Sequence, residues 1–567
     1  MSRAPSPRVD EAPKLTAANR GSGLALDDPL PLRVGFAGRL GRELLGSRVE
    51  AVNVAPGPSS RNGDSRADAS ASPVPSGSFD ALVIDPDAGG LTRAELERIV
   101  ALARESGATV VGLDPGGGEL AWEGLEQISL GNPRAGAAQA IKAPPPLDPK
   151  LWGPVRFQRD DVAGYLAVAR KGSAKKGIRQ ARGLLASGGL EEPVLLRCSN
   201  RNVSLPRGVL AGPPLGGAPK PILKLAHKRL GVLDHPGFHA SEWERSGWIV
   251  RLCAAGVPVV AAEISAELAE LLGEELTTLL RDLSPRDLTD LDDRERISVA
   301  LRRVALRDHS VEARWRQIAA LAGIDLPPRP LVSVILATRR EEWLAHGLGQ
   351  VLRQNYEPRE LVVCLHGDGF SEGVEDEVRQ VAGAETKIVR AGEPLTLGDV
   401  LNAGIEVSEG QLISKMDDDD YYSNDHLWDL VLALEYAGAD LTGKAAEFVY
   451  LDEIDVTVRQ VSHDVDTRLA GGGMMARRAA LVEQGGWPQR TRGEDLALIR
   501  MFAGNDRAVI RVPPHGYILN RHGRDHTWRP AIDYFLFRSE QQWRGLRFDE
   551  TAIDEQPRAS VGLPVAR

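Results

Sequence analysis

The stretch "ISKMDDDDYYSNDHL" (413–427) concentrates more chemistry than any other part of the chain. Four aspartates, Asp417 to Asp420, follow a short apolar run and precede two tyrosines. Adjacent like charges repel. At the end of a buried strand such a run needs a compensating cation, and carboxylate oxygens are hard ligands suited to Mg2+ or Mn2+. A solvated acidic loop would need neither the strand before it nor the aromatics after it. A calcium EF-hand loop is excluded, because Tyr421 or Tyr422 falls where its third acidic or amide ligand should be. Further on, "TRGEDLALIRMF" (491–502) sets Glu494 and Asp495 at a helix start. Acids in a first turn can simply offset the helix dipole; they are also a residue type that serves as general base. "NRHGRDHTWR" (520–529) adds His522 and His526, spaced by four, beside Arg521, Arg524 and Trp528. No cysteine joins them and no H-E-x-x-H helix is present, which disfavours zinc.

These residues need elements to hold them. "LVSVILATRREEWLAHGLGQVLRQNY" (331–356) reads as a β-branched strand, a Thr-Arg-Arg turn and an amphipathic helix. "ELVVCLHGDG" (360–369) reads as a second buried strand ending in a glycine turn. "LTLGDVLNAGIEVSEGQLISKMDDDD" (395–420) gives a helix, a glycine turn and a strand that runs into the aspartates. Doubly wound sheets bind ligands at the carboxyl ends of their parallel strands. Thr338, His366 and the aspartates should therefore meet on one rim. The small residues of "GGGMMARR" (471–478) would let backbone approach a bound ligand closely.

Four of these motifs, in this order, resemble glycosyltransferase family 2: "SVILATRRE", "LNAGIEVSEGQLISKMDDDD", "GGGMMARRAALVEQGGW" and "RGEDLALIRMF". The resemblance covers residues 331 to about 530 and implies a Rossmann-like α/β domain with the GT-A fold. It implies transfer of a sugar from a nucleoside-diphosphate sugar, helped by Mn2+ or Mg2+. A cation would offset charge that grows on the departing diphosphate. Carried over residue by residue, Asp417 orients the ribose and Asp419 binds the metal, with Asp418 and Asp420 left open to a one-residue shift. Thr338, Arg339, Asn402 and Lys415 fall on the donor side. His526, in the "HTW" position, or His522 completes the metal sphere. Inverting transfer needs a carboxylate to take the acceptor hydroxyl's proton; the resemblance assigns that to Asp495, with Glu494 on the acceptor hydroxyl or orienting the site. The family's two aspartates after the second strand are replaced by Leu365 and His366, with Asp368 two residues on, so the nucleobase contact departs from the pattern.

The rest of the 567-residue chain is organised differently. Residues 1–30 and 56–78 are rich in Pro, Ser, Arg and Ala or Gly and lack periodicity, as unstructured segments do. Apolar runs at 32–38, 79–85 and 108–114, with an amphipathic helix at 91–107, predict a Rossmann-like subdomain over 31–185. A second, at 186–325, carries "WIVRLCAAGVPVVAAEISAELAELLG" (248–273). That shape resembles the nucleotide-binding half of GT-B glycosyltransferases of the spore-maturation type. The paired glutamates of that family are replaced by Trp243 and Arg251, so a structural or acceptor-binding module is expected there. The prolines of "LPPRPL" (326–331) mark a boundary, with a catalytic domain over 331–545 and a tail at 546–567.

A net charge of −10 argues against a nucleic-acid partner. There is no run of eighteen apolar residues and no apolar signal core, and three scattered cysteines read as reduced thiols. The expectation is a cytoplasmic enzyme that meets a glycan or lipid-linked acceptor, in the latter case at the inner face of the membrane, where the basic stretch "KGSAKKGIRQAR" (171–182) could make contact. The competing class is a non-catalytic glycan-binding scaffold. A nucleotidyltransferase is disfavoured because "LATRREEW" lacks a glycine-rich loop after the first strand.

Overall fold

The computed structural model describes residues 6–11, the strand and helix segments between 30 and 198, residues 223, 226 and 228–460, and residues 469–553 except 491 and 524–529. The 56–78 stretch, most of the N-terminal segment and residues 554–567 lie outside the described residues. The chain divides into two units. One comprises 28–326, and the other 1–27 together with 327–567.

The 28–326 unit holds two all-parallel sheets. The first runs Glu50–Asn53, Arg33–Ala37, Ala81–Ile84, Thr109–Asp114, Ile128–Gly131, Ala140–Lys142. The second runs Val259–Ala261, Gly231–Asp234, Tyr165–Ala169, Val194–Cys198. This corrects the expected division at 185/186. Tyr165–Ala169 pairs with Val194–Cys198, so both belong to the second sheet. Parallel neighbours need a crossover, usually a helix, and the basic Ala174–Ser187 helix is that crossover. Periodicity reveals such a helix but does not say which sheet it serves.

The other unit is built on an eight-stranded sheet ordered Arg8–Val9, Lys387–Ala391, Arg359–His366, Val332–Thr338, Leu412–Asp417, Met474–Arg477, Leu441–Lys444, Val509–Val512. The first five strands are mutually parallel, and Met474–Arg477 runs antiparallel to both its neighbours. Val332–Thr338 is buried along almost its whole length, as a central parallel strand covered on both faces must be. Ile335 packs with the Leu397–Val407 helix on one face. Its neighbour Leu336 packs with the Glu341–Leu352 and Val374–Ala382 helices on the other. A five-stranded sheet completes the unit: Tyr421–Tyr422, Tyr517–Arg521, Phe448–Leu451, Val456–Gln460, Ser539–Arg544. Residues Arg8–Val9, expected to be unstructured, instead extend the main sheet along Lys387–Ala391. Two described cysteines, Cys253 and Cys364, are buried free thiols, and burial pushes the Cys364 thiol up to about 12.

The Leu397–Val407 helix starts at a capping box, Thr396 with Asp399. At its first turn a Cβ on Gly398 would stand 2.2 Å from the Pro488 carbonyl oxygen, so only glycine fits. Gly398→Ala should drive the 485–489 loop away and cost about 1–3 kcal/mol, as overpacking does, read as a lower denaturant midpoint with unchanged slope.

Candidate active site

Register decides what reaches the rim. Ala337 lies opposite Asp417 and Thr338 opposite Leu365, so Thr338, His366 and the aspartates do share one edge of the sheet. Beyond that edge the four aspartates separate. Asp417 is part-exposed, whereas Asp418, Asp419 and Asp420 are 3%, 6% and 1% exposed. Each has its own compensation.

Asp420 accepts from the Tyr517 hydroxyl (2.6 Å) and from the Asn520 backbone N–H (2.9 Å). Burial, with Asp419 and Asp417 close by, still holds its carboxyl well above the usual range. It is committed to holding the Tyr517–Arg521 strand. Asp418 accepts from the Thr338 hydroxyl and from the Arg340 guanidinium. Burial and Asp419 nonetheless raise its carboxyl to about 6. Thr338, expected on the donor side, therefore positions Asp418, and its oxygen also accepts from the Arg340 backbone N–H (3.0 Å). Asp419 lies 2.9 Å from the Arg340 Nη2 and 3.0 Å from the His522 Nε2. Arg340 also reaches the His522 Nε2 at 2.8 Å. Trp343 stacks on the His522 ring with centroids 4.8 Å apart.

The second acidic centre is joined to the first through Lys415. This lysine is 3% exposed, with its Nζ 3.1 Å from Asp417 Oδ1 and 3.5 Å from Asp495 Oδ2. Burial disfavours its charge, but Asp417, Asp495 and Glu494 outweigh that and hold its pKa above the ordinary value. Burial pushes the carboxyls of Asp417 and Glu494 up against the pull of Lys415, Asp495 adding to the push on both. The Asp495 Oδ1 is buried with no hydrogen-bond partner among the described residues. The glycines of "GGGMMARR" serve this contact. A Cβ on Gly471 would stand 1.9 Å from Asp495 Oδ2 and 2.8 Å from Lys415 Nζ. One on Gly472 would stand 2.8 Å from Asp420 Oδ2 and 3.0 Å from the Asp417 Cγ.

Other expectations change. Asn402, expected on the donor side, is engaged by the protein's own backbone. It is 2% exposed, and its amide spans the Trp487 backbone, accepting from the N–H (2.8 Å) and donating to the carbonyl (2.9 Å). Both its hydrogen-bonding groups are spent on holding the loop after "GGW". Arg339 is more than half exposed and lies 3.6 Å from Glu393, while its neighbour Arg340 enters the acidic cluster. Arg340 was not among the expected site residues, and its signal in the sequence is the doubled arginine in the turn after Val332–Thr338. His526 lies outside the described residues. His366 is buried at the end of its strand, and burial with Arg339 holds its pKa down. Among the described residues no three His, Cys, Asp or Glu side chains converge as metal ligands do. Asp419 and His522 do face each other, and both touch Arg340.

The 28–326 unit spends its buried charge internally. Asp234 holds Arg245 and His239, each at 2.7 Å. Trp243 and Arg251 lie on the Glu242–Ala254 helix, and the Arg251 guanidinium sits 5.5 Å over the Trp152 ring.

A largely parallel sheet ends in carboxylates, and a second acid pair is tied to the first by a buried lysine. Residues 333–454 match the family model described as Glycosyl transferase family 2. The match covers the first strand, the aspartate run and the turn after it, and stops short of Glu494 and Asp495. A comparison with curated proteins finds no match. Among solved structures, the chain is similar to the mannosyltransferase PcManGT from Pyrobaculum calidifontis in complex with GDP-Man and Mn2+, at 17% identity over 34% of this chain and 57% of that one, with a TM-score of 0.27. It is similar to S. aureus TarS at 17% identity over 34% of this chain and 36% of that one, with a TM-score of 0.28. For TarS 1–349 in complex with UDP-GlcNAc the identity is 16% over 35% and 61%, with a TM-score of 0.28. The chain thus spans less than two thirds of the length of each of these structures.

If Asn402 is structural, Asn402→Ala should strand two buried backbone groups of Trp487 and cost about 2–4 kcal/mol. Thermal melts would show the loss. A variant that kept its stability while weakening nucleotide binding would restore the donor-side role.

Proposed function

We propose that the 327–567 unit is an inverting glycosyltransferase that moves a sugar from a nucleoside-diphosphate sugar to a hydroxyl of a glycan or glycolipid. The observation that carries this is the line Asp417–Lys415–Asp495, which joins a donor-side carboxylate to a second carboxylate with one oxygen uncommitted. Inverting transfer needs one carboxylate oxygen free to act as base at the acceptor hydroxyl. In this reading Asp417 orients the ribose. Lys415 engages one oxygen of Asp495, and the other takes the acceptor hydroxyl's proton as that oxygen attacks the anomeric carbon and the bond to the diphosphate breaks. Glu494, on the same helix turn, orients the acceptor.

A divalent ion of the Mn2+ or Mg2+ kind would be held by Asp419 with His522, whose oxygen and imidazole nitrogen are suitable donors. When bound it would supply positive charge to the departing diphosphate. His526 is kept as a second candidate ligand.

The 28–326 unit is read as a GT-B-like module that supports the acceptor rather than a second donor site, because the paired glutamates of the spore-maturation type are absent from it. No helix among the described residues is long and apolar enough to cross a membrane. A lipid-linked acceptor would be met at the surface, on the cytoplasmic side, with the 171–182 stretch making the contact.

The test is a panel of nucleoside-diphosphate sugars with Mn2+ or Mg2+, read by binding and by slow donor hydrolysis. Asp419→Ala should lose metal-dependent donor binding. Asp495→Asn should keep binding and lose turnover by about 10²–10⁴-fold, the usual contribution of a general base. Absence of binding to every donor would reject the assignment. Equal biological effect of both variants and the parent would instead favour a non-catalytic scaffold.

A further inference from the structure

The guanidinium of Arg340 stands among the groups that a divalent ion would use. Its Nη2 contacts both Asp418 and Asp419, its Nε lies 3.4 Å from Asp418 Oδ2, and its Nη1 lies 2.8 Å from His522 Nε2. Guanidinium nitrogens only donate. The His522 Nε2 lies between the Arg340 Nη1 and Asp419 Oδ2, 3.0 Å from the latter. A carboxylate oxygen and an imidazole nitrogen thus stand together against one cationic group. The stacking of Trp343 on His522 holds that ring in place, and the Arg340 guanidinium itself lies 5.8 Å from the Trp343 ring centroid. The arginine is anchored at its own root, through the bond from its backbone N–H to Thr338 and its place at the start of the Glu341–Leu352 helix.

We propose that Arg340 is a resident cation that competes with the divalent ion for Asp419 and His522, so that the ion binds only as the guanidinium withdraws. The proposal rests on the reading that this unit holds a divalent ion beside its donor. Two positive groups at contact distance from Asp419 and His522 would repel, and one carboxylate and one imidazole cannot satisfy both. Occupancy is therefore exclusive. The cluster stays neutralised without metal, which buried carboxylates require, and the intrinsic affinity for the ion is discounted by the fraction of molecules in which Arg340 is out. With an open state populated at about 1–10%, the discount is about 10–100-fold.

The experiment is titration of the full chain with Mn2+ alone, following free Mn2+ by electron paramagnetic resonance, for the parent, Arg340→Gln and Arg340→Lys. Arg340→Gln should bind Mn2+ about tenfold more tightly or better, and Arg340→Lys, which keeps the charge but loses the fork, should fall between. Adding Asp419→Asn to Arg340→Gln should abolish the gain. Melting is the second readout. Without metal Arg340→Gln should melt below the parent, and Mn2+ should raise its melting temperature more than it raises that of the parent. Equal or weaker Mn2+ binding by folded Arg340→Gln overturns the proposal, as does a gain that survives Asp419→Asn. If Arg340→Gln does not fold, the comparison of Arg340→Lys with the parent decides. Binding of UDP and GDP to the same samples is measured separately. Nucleotide binding without a gain in Mn2+ affinity rejects the competition and leaves the donor site standing; a gain without nucleotide binding does the reverse.

Discussion

The repulsion within one four-residue acidic run organises the 327–567 unit. Three of the four carboxylates are almost fully buried, and buried charge is tolerated only with partners. The partners come from different parts of the fold. Lys415 on the same strand answers Asp417. Thr338 and Arg340, after the neighbouring strand, answer Asp418. Tyr517 and Asn520, from the second sheet, answer Asp420. Asp419 shares Arg340 and draws in His522. The main sheet, the turn after its first strand and the second sheet are thus fixed to one another through these aspartates. Asp417 is part-exposed, and the Asp419 carboxylate faces the His522 imidazole.

Close backbone approach is the second constraint, and it serves the same end. Gly471 and Gly472 leave room for Asp495, Lys415, Asp420 and Asp417 to gather where any side chain would intrude. The room left at these two glycines is taken up by the protein's own charged groups. Lys415 then couples the two acidic centres. It lies within 4 Å of a carboxylate in each, so a change at Asp417 is felt at Asp495 through one ammonium group. Away from the site, Arg8–Val9 covers the outer edge of Lys387–Ala391, a position where an unpaired strand would invite aggregation.

Much of this was legible in the chain. The strand and helix alternation around 331–420 and the convergence of Thr338, His366 and the aspartates on one rim follow from hydrophobic period and from the rule that parallel strands present their carboxyl ends together. Other features were not legible, for particular reasons. Asn402 sits in a motif that suggests a ligand, yet its amide meets Trp487, 85 positions later, and no local pattern encodes that pairing. Arg339 and Arg340 are neighbours of the same type in a turn, and only the turn's geometry decides which one enters the cluster. The placement of Tyr165–Ala169 in the second sheet depends on strand pairing rather than on its own composition.

By itself the sequence determined that four carboxylates would be delivered together to the end of a buried strand, because a six-residue strand and the residues following it are contiguous in the chain. It did not determine what each carboxylate would do. Tertiary structure decided that, by bringing Arg340 from 78 positions before Asp418 and His522 from 103 positions after Asp419. The physical reason is that a charge's role depends on its nearest counter-charge and its burial, and both are set by packing between segments far apart in sequence. "MDDDD" supplies four carboxylates, and the fold gives each its own partners: Lys415 for Asp417, Thr338 and Arg340 for Asp418, Arg340 and His522 for Asp419, Tyr517 and Asn520 for Asp420.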